Sequence, residues 1–139
     1  MSKVVISLSM SLDGLITGPG DGPGAGLGKG GERLFDWYFS GTDPHPRYPM
    51  FRPQGPNRTA MERIFDSEKA VGVSGADVAR QCLRAGLVDE LWLAVGPTLL
   101  GDGVRLFEDL RPPLDLEVLE VLDGPRATHL RYRVRDGGR

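Results

Sequence analysis

Residues 84–107 read RAGLVDELWLAVGPTLLGDGVRLF, and their order decides the fold. Gly86 is placed to stop a helix, because glycine accepts the left-handed backbone a helix end calls for. In the ELWLAV run, Glu90–Val95, apolar residues occupy odd and even positions alike. A strand without a polar face is covered on both sides, as central strands are. Pro97 then ends the strand, since it has no N–H to give to a ladder. Gly101 and Gly103 follow, two glycines one residue apart that call for a tight turn. A helix running into a doubly buried strand is the grammar of an α/β domain.

Upstream of this stretch, SGADVARQCLRAG predicts the helix itself. Ser74 and Asp77 have the spacing of a capping box, with Asp in place of Glu, and Cys82 falls on the apolar face. KAVGV, residues 69–73, predicts a short strand, and Val4–Met10 another. Between them, ERLFDWYF predicts a short helix with Leu34, Phe35 and Tyr38 on one face. Asn57 is the expected N-cap of a second helix carrying the stripe Met61, Ile64 and Phe65. Downstream, LDLEVLEVL and RATHLRYRVR flank Asp123-Gly124, a turn dipeptide that predicts an antiparallel hairpin. In its second strand, Thr128, Leu130, Tyr132 and Val134 share one face. His129, Arg131, Arg133 and Arg135 share the other, which reads as solvated or subunit-facing.

Composition narrows the function. The 139 residues suit one domain, and a net charge of −2 argues against nucleic acid as a partner. One cysteine, Cys82, gives no internal disulfide framework. No apolar run approaches membrane-spanning length, and the opening MSKVVISLSM lacks the features of a signal peptide, so a cytoplasmic protein is expected. Eleven of the 20 glycines and seven of the 11 prolines crowd between Gly14 and Pro56, predicting long loops there. Two histidines and one cysteine make no metal cluster. Gly26–Gly31 satisfies G-x-G-x-x-G but follows no convincing strand, so it reads as a flexible loop. Asp89 and Glu90 read as surface residues at a strand entrance.

Taken together, GADVARQCLRAGLVDELWLAVGPTLLGDGVRLF resembles the dihydrofolate-reductase-like family, which includes the C-terminal reductase domain of the bifunctional riboflavin-biosynthesis deaminase-reductase. SMSLDGLITGP resembles that family's first strand and SLDG turn, and NRTAMERIFDSEKAVG resembles the helix before its second strand. The resemblance covers most of the chain and implies a truncated three-layer α/β sandwich over residues 1–139. Its sheet is mixed and mostly parallel, with a C-terminal antiparallel hairpin. It also implies a homodimer that transfers hydride from NADPH to a pyrimidine or pterin-like ring. Ser74, Gly75 and Ala76 would bind the cofactor pyrophosphate, a placement that suits a helix N-terminus. Gly101 and Gly103 would hold the turn beside the cofactor. Asp13 would orient substrate or relay a proton, with Gly14 and Trp37 at the substrate.

One departure is evident. Val71-Gly72-Val73 passes straight to Ser74-Gly75, whereas the family's pattern has a phosphate-gripping Gly-Arg turn and further elements between them. Two readings follow: a small NADPH-dependent reductase, or a relative without NADPH binding that is a cofactor-independent catalyst or a small-molecule binding protein.

Overall fold

The computed structural model describes residues 3–24, 26–66, 70–73 and 75–135. Seven strands form: β1 (Lys3–Ser11), β2 (Leu15–Thr17), β3 (Ala70–Val73), β4 (Glu90–Gly96), β5 (Val104–Arg105), β6 (Asp115–Gly124) and β7 (Ala127–Arg135). A 3-10 helix spans Gly31–Phe39, and two α-helices follow, α1 (Pro56–Phe65) and α2 (Ala76–Arg84).

The main sheet has the order β3-β1-β4-β7-β6. β1 is parallel to β3 and to β4, with Lys3–Ile6 opposite Ala70–Val73 and Val5–Ser11 opposite Glu90–Gly96. β7 runs antiparallel to β4 and to β6. β7 alone is reversed, so the sheet is mixed and mostly parallel, closing in a C-terminal antiparallel hairpin. As the residue pattern of 90–95 predicts, β4 lies inside the sheet with a helix layer on each face. β2 and β5 form a small separate antiparallel pair that folds the double-glycine turn back over the end of β1.

The two faces of the sheet are chemically unlike. On one, Ile6, Leu91 and Leu93 pack with Ala79 and Leu83 of α2, together with Ile16, Val88 and Leu106. The end of α2 is fixed by Gly86 at φ 71°, where Leu87 N–H reaches back to Cys82 O at 3.1 Å. On the other face, Trp37, Met61, Ala94 and Ala127 form a second cluster, edged by Tyr38, Tyr48, Phe51 and Ile64. This layer is built by the 3-10 helix and α1.

Several local expectations are corrected. The segment ERLFDWYF winds as a 3-10 helix, so residues three apart eclipse one another. Gly31, Leu34 and Trp37 are therefore its buried line, instead of Leu34, Phe35 and Tyr38. Gly55 at φ 55°, not Asn57, is the N-cap of α1. Gly75 at φ 94°, not Ser74, is the N-cap of α2, and Asp77 accepts from Gln81 Nε2 at 2.9 Å. The hairpin turns two residues later than expected, at Pro125-Arg126, with Arg126 held at φ 65°. Cys82 is partly buried against the aliphatic cluster. The proline-rich loop is pinned, with Gly41 N–H and His45 N–H bonded to Arg52 O and Phe51 O.

Candidate functional site

A cavity of about 370 Å³ opens where the aromatic layer meets the unpaired side of β1. β3 pairs only with Lys3–Ile6, so among the described strands nothing covers Ser7–Ser11 on that side. The cavity wraps this edge and is therefore lined from both sheet faces. Ser9, Trp92 and His129 come from the polar face, and Ile16, Thr17 and Gly75 from around the other. Phe35, Trp37 and Tyr38 supply an aromatic wall.

Beneath that wall lies a buried polar network. The Asn57 amide group donates to Ser40 Oγ at 2.9 Å and to Pro125 O at 2.7 Å, so its oxygen is the acceptor facing His129 Nε2 at 2.7 Å. Gly124 makes this approach possible, because a Cβ there would collide with Asn57 Oδ1. Trp37 donates from Nε1 to Ser9 Oγ at 3.1 Å, and its ring meets His129 edge-on at 4.7 Å between centroids. Burial lowers the His129 pKa to about 4, so the ring is neutral at neutral pH. Burial also raises the Tyr38 phenol to about 12, keeping it protonated.

The charges at the cavity are paired. Arg63 meets Glu120, and Arg131 grips Glu90 with two bonds of 3.0 and 3.1 Å while lying over the Trp92 ring. Glu90 is only 2 % exposed, which corrects its reading as a surface residue. Burial alone would raise its pKa, but hydrogen bonds from Arg131, Trp92 and Lys3 outweigh that and lower it to about 2. Likewise His129 is buried and Arg131 half-buried, so this part of the β7 face is not the solvated surface expected. Arg133 and Arg135 alone answer that description, sharing Glu117 at the exposed end of the sheet.

Asp13 lies at the C-terminal end of β1. Its carboxylate accepts from Ser11 Oγ, from Leu100 N–H at 3.2 Å and from Gly101 N–H at 2.8 Å. The hydrogen bond from Ser11 leads these in lowering its pKa to about 2. The Asp13-Gly14 turn and the 98–103 turn are thus joined through one side chain. Gly103 packs against Thr17 so closely that a Cβ would overlap the Thr17 carbonyl. Trp37 and Gly75 line the cavity itself, while Asp13, Gly14, Ala76, Gly101 and Gly103 stand outside its lining. Ser74 lies outside the described residues. His129, Asn57 and Ser9 were not legible as site residues. The sequence offered only a histidine that breaks a run of arginines on one strand face.

Among the described residues, no cluster of His, Cys, Asp or Glu is arranged to hold a metal ion, and no helix is long and apolar enough to cross a membrane. Residues 71–130 match the family model of the RibD C-terminal domain. No curated protein sequence matches the chain. Among solved structures, the chain is similar to a Shewanella sp. PV-4 protein provisionally assigned to riboflavin biosynthesis, at 18 % identity and TM-score 0.56, covering 98 % of this chain and 100 % of that one. It is similar to Acinetobacter baumannii RibD at 16 % identity and TM-score 0.56, covering 97 % of this chain but 58 % of that one. It is similar to the riboflavin biosynthesis reductase Rib7 of Saccharomyces cerevisiae at 14 % identity and TM-score 0.54, covering 98 % and 90 %. Identities this low speak for the fold. With the segment match beside them, residues 71–130 are similar to the RibD C-terminal domain, and the chain as a whole shares the dihydrofolate-reductase-like fold of these riboflavin-biosynthesis proteins.

Proposed function

We propose that this protein is a reductase that uses NADPH to reduce a small flat heterocycle, a pyrimidine or a pterin-like ring. The observation that carries the reading is an aromatic-walled cavity along the open edge of β1 whose lining includes Gly75, just past the C-terminal end of β3. In open α/β sheets that end of the strands is where ligands bind. The riboflavin biosynthesis reductase among the similar structures supports the same reaction class.

The residues present suit a dinucleotide. The first turn of α2 has no side-chain cap at Gly75, so backbone N–H groups behind Gly75 and Ala76 are free to meet a pyrophosphate. Gly101 has open space where a Cβ would stand, which leaves room for a ligand against the turn. NADPH, when bound, supplies the hydride. Asp13 is ionised at neutral pH and its oxygens are engaged, so its part is to hold the two turns in register, and water is left as the proton source. Trp37 lines the ring-binding end, and the apolar wall excludes solvent. A homodimer belongs to this reading, since the main sheet ends on both sides in described strands, β3 and β6.

One observation favours the second reading, of a relative that acts without NADPH. β3 runs almost directly into α2, and Asp77 puts a negative charge in the first turn that a phosphate would meet. Calorimetric titration of NADPH, NADP and NADH into the purified protein separates the two. Micromolar binding with preference for NADPH is expected. No binding at millimolar cofactor would overturn the reductase reading in favour of the second.

A further inference from the structure

The cavity carries more detail about its ligand than the fold does. We propose that His129 Nδ1 accepts a hydrogen bond from a ring N–H of a flat heterocycle bound in the cavity. The proposal rests on the reading of the cavity as a heterocycle site.

The tautomer of His129 follows from its neighbours. Asn57 spends both amide hydrogens on Ser40 and Pro125, so only its oxygen faces the ring. An oxygen acceptor requires a hydrogen on Nε2, and a neutral ring then leaves Nδ1 as a bare acceptor. No described residue donates to Nδ1. Among the described residues, the fully buried side-chain polar atom without a partner is Thr17 Oγ1, not His129 Nδ1. His129 Nδ1 is therefore open to the cavity that its side chain lines. The ring is held from two sides, by Asn57 at Nε2 and by the Trp37 edge, so the acceptor is presented in one orientation. Such a group rewards a ligand donor and penalises an alkyl group put in its place.

The aromatic wall of Phe35, Trp37 and Tyr38 asks for a flat apolar surface on the same ligand.

The test uses the wild-type protein at pH 6.5 with two probes, lumazine and 1,3-dimethyllumazine. Affinity is measured by quenching of tryptophan fluorescence and His129 by imidazole 15N resonances. Lumazine is expected to bind, and to shift the Nδ1 resonance alone. The dimethyl compound is expected to bind about tenfold more weakly, the worth of one hydrogen bond to a buried acceptor, and to leave Nδ1 unmoved. His129→Phe, which keeps the ring volume, should lose the preference for lumazine over its dimethyl form. Equal binding of the two, with Nδ1 unmoved, would overturn the role of His129 while leaving the heterocycle reading intact. Failure of both to bind would overturn the proposal and the heterocycle reading together.

Discussion

The two faces of one sheet have been put to different uses. Against α2, the contacts are aliphatic and close, and the largest buried side chains there, Ile6, Leu91 and Leu106, have almost no exposed surface. Against α1 and the 3-10 helix, the same strands present Ser9, Ser11, Glu90 and His129, all buried and all hydrogen-bonded. Alternation along a strand lets one backbone serve both purposes. The difference teaches that stability and recognition are separable here: one face supplies hydrophobic burial, while the other holds polar groups that fold only if each finds its partner.

That division can be broken from either side. Ile6→Ala removes a wholly buried side chain from the aliphatic face and is expected to cost about 2–5 kcal/mol by chemical denaturation. Ligand affinity per folded molecule should be unchanged; a loss of both together would show that the faces are not separable. Gly124→Ala strikes the other face, pushing Asn57 away from His129, at an expected cost of about 1–3 kcal/mol. Here the His129 15N signals should change as well, and a variant with native signals would contradict the close packing at Gly124. The smallest effect is graded with pH. From pH 6.5 down to about 4, the unfolded chain binds a proton at His129 that the folded chain refuses. Stability should therefore fall as pH is lowered through that window, by up to about 1.4 kcal/mol per unit. Glu90, lowered from 4.5 to about 2, and Asp13, lowered from 3.8 to about 2, extend the loss to lower pH, because their ionised forms are the ones the fold stabilises. A denaturation midpoint that stays level between pH 6.5 and 4.5 would remove His129 from the buried network.

The parts legible in the sequence were those decided by near neighbours. Gly86 stops α2 through bonds made within the last turn, and the pattern of residues 90–95 marks the central strand without knowledge of what covers it. The hairpin faces were legible because alternation is local, and the family resemblance carried the order of the elements. What escaped was settled at a distance. Asn57 has the chemistry of an N-cap, but Pro125 and His129, 68 and 72 residues away, recruit its side chain into the interior. Gly124 belongs to that same contact, and not to the turn its neighbour Asp123 suggests. Glu90 is buried because Lys3, Trp92 and Arg131 converge on it from β1, β4 and β7. Helical period misled at residues 31–39, since three residues per turn and not 3.6 put Trp37 under the site.

The 3-10 helix has a consequence for how this chain can change over evolutionary time. Each residue in such a helix turns the next by about 120°, so one inserted or deleted residue would swing Trp37 off the sheet, a change no later side chain could absorb. The glycine-rich excursion just before it, residues 19–30, is mostly exposed, and the backbone closes at its base through Gly18 N–H to Leu27 O and Lys29 N–H to Pro19 O. Length is free to drift above that closure and is fixed immediately after it. In related chains, gaps should gather in the excursion, while the spacing from Gly31 to Trp37 stays constant even where the residues between them differ.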